Sequence, residues 1–131
     1  MVLFYFGLQE RLIFIPARDK FGGPLPLATP YKEHFFDTPS NGRIHGIKLL
    51  TKEAKGIIFY LHGNTGSIKR WGHMGQELVD LGYDVFVMDY RGYGKSTGKR
   101  SEEALHNDVR LVYESVVADY AHLDRIIYGR S

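Results

Sequence analysis

The chain has 131 residues, 44% of them hydrophobic and 24% charged, which suits one soluble globular domain and is too short for two. Its formal net charge is only +2 and its basic residues form no cluster, which argues against a nucleic-acid-binding protein. The chain contains no cysteine, and this excludes a disulfide scaffold, a thiolate nucleophile and a cysteine-ligated zinc site.

Residues 1–32 are predicted to form a proline-rich N-terminal segment that precedes a domain at residues 33–131. All five prolines lie within the first 39 residues, and proline cannot donate to a sheet ladder, so we expect this segment to lie outside the sheet. Residues 1–8, MVLFYFGL, are uncharged, but a membrane-spanning helix needs about 20 such residues. A buried or surface-lying stretch is therefore the favoured interpretation, with the tail of a membrane anchor as the alternative.

Extended structure is predicted next. Asn41-Gly42 separates two extended segments and is a strong hairpin signal. The following run, GIIFYLH at residues 56–62, is continuously apolar and rich in β-branched residues, which is typical of a strand buried on both faces of a sheet.

A helix and a second buried strand follow. Apolar residues recur at helical spacing from Ile68 to Leu81, and Gly82 stands where a C-terminal cap is expected. The run YDVFVMDY at residues 83–90 then predicts the second buried strand.

The last elements are another helix and another strand. Ser101 is the expected N-cap, and Glu102 and Glu103 in the first turn suit the positive end of the helix dipole. The run RIIYG at residues 125–129 predicts a third buried strand.

This alternation of strands and helices predicts a parallel sheet covered by helices. Ligands of such sheets bind outside the carboxyl ends of the strands. Three segments follow those ends: HGNTG (62–66), DYRGYGKSTG (89–98) and GRS (129–131). A candidate site is therefore expected where these three segments meet.

The glycine-rich second segment invites a phosphate-loop interpretation, which fails on spacing. Counting back from Gly94, the first glycine of the Walker pattern would fall on Asp89. Gly92, Gly94 and Gly98 are better explained by a tight loop with positive φ angles. The histidines offer no metal-binding spacing either, since Glu103 and His106 form only half of a di-iron pattern. We predict neither a cofactor nor a metal.

The first and third segments favour acyl transfer. A strand that ends in His-Gly and turns into a helix leaves backbone N–H groups free to bind a developing oxyanion. Gly129-Arg130-Ser131 supplies the first three positions of G-x-S-x-G, in which a sharp turn lifts the serine hydroxyl above the sheet. Each of these two motifs alone is weak evidence for a hydrolase, but the order of the three segments after successive strands is a strong signal.

In these segments the chain resembles the N-terminal half of an α/β-hydrolase, and most closely the BEM46-like and ABHD-type serine hydrolases. The resemblance rests on QERLIFIP (9–16), YLHGNTGS (60–67), DYRGYGKSTG (89–98), SEEAL (101–105) and YGRS (128–131). It implies a partial α/β-hydrolase fold, with a mostly parallel sheet, an antiparallel N-terminal hairpin and flanking helices, cut at the nucleophile turn. It also implies hydrolysis of a carboxylic ester or thioester, in a small molecule or an acylated protein.

Matched residue by residue, the resemblance implies a role for each motif position. Ser131 corresponds to the nucleophile, and Asn64, with Thr65 as its neighbour, to the donor of an oxyanion-hole N–H. The remaining matched positions are expected to shape the site: His62, Gly63, Asp89, Arg91, Gly92, Gly94, Ser96 and Gly129.

The family order is serine, then acid, then histidine, so both partners of Ser131 would lie beyond residue 131. All six histidines precede Ser131, and a serine hydroxyl without a base is a poor nucleophile. We expect the 131 residues alone to be inactive, with an exposed sheet edge at RIIYG that can pair with another chain. The alternative is a non-catalytic binding module with a partial hydrolase fold.

Overall fold

A computed structural model of the chain describes residues 15–16, 27, 29–63, 65–66 and 68–129. The strands are β1 (Ile15–Pro16), β2 (Tyr31–Asp37), β3 (Arg43–Leu49), β4 (Gly56–Leu61), β5 (Thr65–Gly66), β6 (Asp84–Met88) and β7 (Asp124–Gly129). The helices are α1 (Ile68–Val79), between β5 and β6, and α2 (Glu102–Val117), which a 3₁₀ turn (Ala118–Tyr120) extends towards β7.

Five strands form one mixed sheet in the order β2-β3-β6-β4-β7. The hairpin β2–β3 is antiparallel and β3 runs antiparallel to β6, whereas β6, β4 and β7 are parallel. This confirms the predicted partial α/β-hydrolase fold. A separate two-stranded pair joins β1 to β5, with Ile15 opposite Thr65 and Pro16 opposite Gly66.

The order of the parallel strands decides where the helices lie. The chain passes from β4 outward to β6 and then returns across β4 to β7. Since crossovers between parallel strands are right-handed, this reversal sends α1 and α2 to opposite faces of the sheet. β4 is thus the point at which the winding changes direction, and such switch points are where ligand sites of open sheets form.

Each face of the sheet has its own apolar core. On one face, side chains of β3, β4 and β6 pack with α1, and Leu27 packs against the core that they form. The buried residues of this core are Ile47, Leu49, Ile58, Tyr60, Ile68, Val79, Val85 and Val87. On the other face the same strands pack with α2 and the 3₁₀ turn: Ile44, Ile57, Phe59, Phe86, Met88, Val112, Val116, Val117 and Tyr120. Strands buried on both faces explain the continuous apolar runs in the sequence.

The predicted turn and cap residues are confirmed. Asn41 adopts φ 60° in the hairpin turn, where the Thr38 N–H donates to the Gly42 carbonyl at 2.8 Å. Gly82 ends α1 with φ 92°, and its N–H donates to the Val79 carbonyl. The Ser101 hydroxyl accepts a hydrogen bond from the Ala104 N–H at 3.0 Å, which makes Ser101 the N-cap of α2.

Two elements differ from the simplest interpretation of their apolar patterns. Leu81, predicted to continue α1, lies outside it and its side chain is exposed, because the helix already ends at Val79. The strand β7 is not buried on both faces: it is exposed along its whole length at the edge of the described sheet, paired only with β4, which agrees with the expected exposed edge at RIIYG. Its apolar run matches that of a buried strand, but neither helix of the described chain covers it. No helix among the described residues is long and apolar enough to cross a membrane.

Candidate active site

Strand register places the ends of the three parallel strands in one row. Leu61 of β4 lies opposite Met88 of β6 on one side and opposite Gly129 of β7 on the other. His62 and Asp89 therefore leave the sheet side by side. Gly129, which begins the Gly-x-Ser segment, ends β7 in the same row. The sequence prediction that these segments meet at one edge holds for the part of them that is described.

The nucleophile candidate and one oxyanion candidate lie outside the described residues. These are Ser131 and Asn64, and Arg130 is likewise outside them. The backbone of Thr65 is described, and it pairs with Ile15 in the β1–β5 bridge. Ile15 and Pro16 thus lie beside the loop that follows β4, while the roles of Ser131, Asn64 and Thr65 remain predictions.

His62 and Asp89 form a buried pair at this edge. Both side chains are 0% exposed, and His62 Nε2 lies 2.9 Å from Asp89 Oδ1. The same Oδ1 accepts a hydrogen bond from the Ile68 N–H, also at 2.9 Å. Burial raises the pKa of the Asp89 carboxyl, and the bonds from His62 and Ile68 oppose that shift. The pair joins the end of β4 to the first residue of α1.

The rings of two tyrosines pack against the imidazole of His62. Tyr90 donates its hydroxyl hydrogen to the His62 carbonyl at 2.7 Å, and its ring centroid lies 4.7 Å from the imidazole. The Tyr93 ring lies 5.8 Å from the imidazole and meets the Tyr90 ring edge-on. Burial raises the pKa of Tyr90, so its hydroxyl remains a donor. Sequence reasoning missed both residues, although both stand in the DYRGYG motif.

Ser96 supports Asp89 from the backbone side. Its hydroxyl donates to the Asp89 carbonyl at 2.7 Å and accepts the His45 N–H at 2.8 Å. The Asp89 N–H in turn donates to the His45 carbonyl. Ser96 therefore joins the glycine-rich loop to β3, while its site-shaping role stays a prediction.

Arg91 anchors that loop away from the strand ends. Its Nε and Nη2 lie 2.5 Å and 2.9 Å from the two carboxylate oxygens of Asp108 on α2. Nη2 also donates to the hydroxyls of Thr38 and Ser40 in the hairpin turn. Arg91 thus holds the loop, α2 and the hairpin turn together, while its site-shaping role stays a prediction. Asp108, which the sequence analysis did not single out, is its counter-ion.

The loop glycines adopt the backbone angles that the sequence predicts. The φ angles of Gly92, Gly94 and Gly98 are 78°, 50° and 127°. A side chain at Gly98 would also meet the Gly42 backbone at 3.1 Å. In the described part of the chain, His, Asp and Glu residues form no group of three that could hold a metal ion.

Comparisons with known proteins bear on the family and the fold of the chain. Residues 52–131 match the family model described as serine aminopeptidase, S33. A protein of Mycobacterium tuberculosis is 29% identical over 120 residues, which cover 87% of this chain and 41% of that protein. Lysophosphatidylserine lipase ABHD12 of Danio rerio is 35% identical over 79 residues, covering 57% of this chain and 20% of the lipase.

Solved structures share the fold. The Pyrococcus furiosus esterase Pf2001 superposes with a TM-score of 0.65 at 24% identity, covering 89% of this chain and 46% of the esterase. A carboxyl esterase from Bacillus coagulans gives a TM-score of 0.67 at 19% identity over 76% of this chain and 36% of the esterase. The chain thus spans less than half of the length of these relatives.

Proposed function

The chain belongs to the α/β-hydrolase family described as serine aminopeptidase, S33, and on that premise we propose that it is the N-terminal part of a serine hydrolase whose nucleophile is Ser131. The strand register is the observation that carries this proposal. Gly129 lies opposite Leu61, so a turn after Gly129 would bring Ser131 towards the loop that begins at His62. In this fold the serine acts beside that loop.

The reaction that we propose is acyl transfer. The Ser131 oxygen attacks the carbonyl carbon of an ester or thioester, a histidine base takes the hydroxyl proton, and negative charge develops on the carbonyl oxygen. The backbone N–H of Asn64, or of its neighbour Thr65, would supply one donor to that oxyanion, and the second donor in this fold is the N–H of the residue after the nucleophile. The C–O or C–S bond then breaks, the leaving alcohol or thiol receives the proton, and water later releases the acid from Ser131.

His62 is not the base in this proposal. Its side chain is 0% exposed, Nε2 faces Asp89, and Nδ1 lies 2.7 Å from the Gly63 carbonyl oxygen. With both ring nitrogens engaged, it has no nitrogen left to accept the serine proton. The base belongs after the nucleophile in this fold, so we expect a polypeptide of residues 1–131 alone to be inactive.

An ester is the favoured substrate class. The family description names an aminopeptidase, whereas the zebrafish relative is named a lipase, and lipases cleave carboxylic esters. The zebrafish match covers 79 residues at 35% identity, which favours the lipase-like chemistry for this chain. We therefore propose a carboxylic ester or thioester rather than a peptide amide.

A fluorophosphonate probe tests the proposal, since it labels serines that are activated for acyl transfer. The protein to test is a gene product that reads on past codon 131. We expect one labelled serine, with labelling abolished by Ser131→Ala. Ser115→Ala is the matched control, because Ser115 lies exposed on α2 and donates only to the Leu111 carbonyl. A folded product that is not labelled would overturn the enzyme proposal and favour the binding module.

A further inference from the structure

One carboxylate oxygen ties together both ends of the loop between β4 and α1. Asp89 Oδ1 lies 2.9 Å from His62 Nε2, directly after β4, and 2.9 Å from the backbone nitrogen of Ile68, the first residue of α1. The Tyr90 hydroxyl adds a bond to the His62 carbonyl at 2.7 Å. The segment between these anchors, residues 63–67, is the loop to which the proposed function assigns one oxyanion-hole donor.

A neutral His62 imidazole beside an ionised Asp89 carboxylate has too few hydrogens to make hydrogen bonds of both short contacts at its ring nitrogens. Nδ1 lies 2.7 Å from the Gly63 carbonyl oxygen, which can only accept, and Nε2 lies 2.9 Å from Asp89 Oδ1. A neutral imidazole carries one N–H, so one of these short contacts would oppose two lone pairs. Both contacts are hydrogen bonds only when the His62–Asp89 pair carries one hydrogen more than a neutral imidazole beside an ionised carboxylate.

The burial of the pair favours the same hydrogen count. Both side chains are 0% exposed, and an unneutralised carboxylate in such a place is costly. Asp89 Oδ2 is buried and has no hydrogen-bond partner among the described residues. The groups packed around the pair supply no charge, since Tyr90 and Tyr93 are phenols and burial lowers the pKa of His45.

We propose that Asp89 is a positioning residue for the loop at residues 63–67 and that it acts as a net-neutral pair with His62. One hydrogen lies between His62 Nε2 and Asp89 Oδ1, and a second joins Nδ1 to the Gly63 carbonyl. The inference rests on the proposed function only for the loop's role in binding an oxyanion. A net negative charge at the ends of that loop would oppose an oxyanion, and the shared proton removes that charge.

A second histidine in the same chain serves as an internal reference. His45 Nε2 lies 2.8 Å from Glu33 Oε1, but His45 Nδ1 is buried and has no partner among the described residues. Lys95 also donates to Glu33 Oε1, at 2.7 Å, and compensates its charge. His45 therefore needs one hydrogen only, at Nε2, whereas His62 needs a hydrogen on both sides of its ring.

Nuclear magnetic resonance of the labelled 131-residue chain tests the hydrogen count without any activity. The ring ¹⁵N signals of His62 and the carboxyl ¹³C signal of Asp89 are measured at one pH near neutrality. We expect a protonated Nδ1, together with either a protonated Nε2 or the carboxyl shift of a protonated acid. An unprotonated Nδ1 overturns the proposal, as does an unprotonated Nε2 beside an ionised Asp89. His45 in the same spectrum should show an unprotonated Nδ1.

Asp89→Asn isolates the shared proton. The amide keeps the shape and an oxygen acceptor, but it can be neither an anion nor an acid. We expect His62 to carry a single N–H in this variant, whichever partner holds the shared hydrogen in the wild type. Glu33→Gln is the matched control on the other pair, and it should leave both His45 nitrogens unchanged because the amide oxygen still accepts from Nε2. Two protonated ring nitrogens of His62 in Asp89→Asn would contradict the proposal.

Asp89→Ala tests the positioning role through hydrogen exchange. Loss of the acceptor should speed exchange of the Ile68 amide about tenfold or more, since a bond to a carboxylate is removed. The Gly82 amide, bonded to the Val79 carbonyl at the other end of α1, should not change and reports that the helix is still folded. Unchanged Ile68 exchange in a folded chain overturns the positioning role. If Asp89→Ala does not fold, the wild-type spectrum still decides the hydrogen count.

The proposed hydrolase function and the proposed net-neutral His62–Asp89 pair can each be refuted without refuting the other. Absence of fluorophosphonate labelling at Ser131 would remove the hydrolase and leave the His62–Asp89 pair intact. A His62 spectrum with a single hydrogen would remove the pair and leave the nucleophile untouched.

Discussion

Asp108 binds Arg91 with both of its carboxylate oxygens, at 2.5 Å from Nε and 2.9 Å from Nη2, and both side chains are almost fully buried. The contact joins α2 to the glycine-rich loop, while the same guanidinium donates to Thr38 and Ser40 in the hairpin turn. Three segments that are distant in sequence are thus fixed by one planar cation, whose fork geometry suits two-point binding of a carboxylate.

Asp108→Asn should destabilise the chain strongly, because it leaves the buried guanidinium without a counter-ion. We expect a loss of about 3–5 kcal/mol in the free energy of unfolding, measured by urea denaturation. Glu114→Gln, on the exposed side of α2, is the control for removal of an acidic side chain. A loss below about 1 kcal/mol, typical of a surface pair, would contradict the structural role.

Gly56→Ala should weaken the attachment of β7. A Cβ at Gly56 would clash with the backbone of Asp124 at the start of that strand, and backbone cannot move aside cheaply. The expected loss is about 1–3 kcal/mol, with faster hydrogen exchange along β7. Gly129→Ala is the control, since, its chain neighbours aside, no atom of the described residues lies within 4 Å of the Cβ that it would add. Equal effects of the two variants would disprove the close approach.

Tyr120→Phe should leave the buried Asp84 carboxylate, at the start of β6, without one of its hydrogen-bond donors. The Tyr120 hydroxyl donates to Asp84 Oδ2 at 2.5 Å, and the Thr51 N–H donates to Oδ1. Removing the hydroxyl should lower the free energy of unfolding by about 1.5–3 kcal/mol. Tyr113→Phe, whose ring packs edge-on against Phe59, is the control. A loss no greater than that of the control would show that the bond contributes little.

Stability should fall as the pH drops below 6.5, in part because of His45. Burial lowers the pKa of His45 below its ordinary value of 6.5, while Glu33 and Asp89 oppose the shift and Lys95 adds to it. Between pH 6.5 and the lowered pKa, His45 binds a proton in the unfolded chain but not in the folded one. The free energy of unfolding therefore decreases as the pH decreases, by about 1.4 kcal/mol per pH unit at most.

His45→Gln should therefore flatten the decline in stability between pH 6.5 and the lowered pKa of His45. Glu33 does not share this window, since the bond from Lys95 lowers its pKa below its ordinary value of 4.5. His34, whose pKa burial also lowers, should leave a residual slope. His122→Gln, which removes an exposed imidazole, is the control. Denaturation curves at stepped pH give the slope, and an identical slope in His45→Gln would refute the assignment.

The exposed strand β7 should make the 131-residue chain self-associate. Ile126, Ile127 and Tyr128 are exposed, and β7 pairs on one side only within the described sheet. Such an apolar edge can pair with a second copy. Ile127→Lys should reduce association in sedimentation experiments. Leu81→Lys is a matched control, because both side chains are 59% exposed and Leu81 lies far from β7 in the chain. Equal reduction by both variants would place the contact elsewhere.

Most of the fold could be predicted from local signals. The hairpin at Asn41, the cap at Gly82, the N-cap at Ser101 and the positive φ angles of the loop glycines all depend on short stretches of chain. The same holds for the alternation of strands and helices that implied a parallel sheet. For β7 the expected exposed edge is confirmed, whereas the burial on both faces that its apolar run predicts is wrong. An apolar run reports a preference for burial, and whether another element covers it depends on the rest of the fold.

The sequence by itself determined the order of the strands and helices, the glycine-rich loop and the motifs that indicate a hydrolase, because each is encoded by residues close together in the chain. Only the tertiary structure decided that Asp89 reaches both His62 and Ile68 and that Arg91 reaches Asp108. It also decided that Leu61 shares a row with Met88 and Gly129. These contacts depend on strand register and on the reversal of winding at β4, which bring together residues that no local pattern connects.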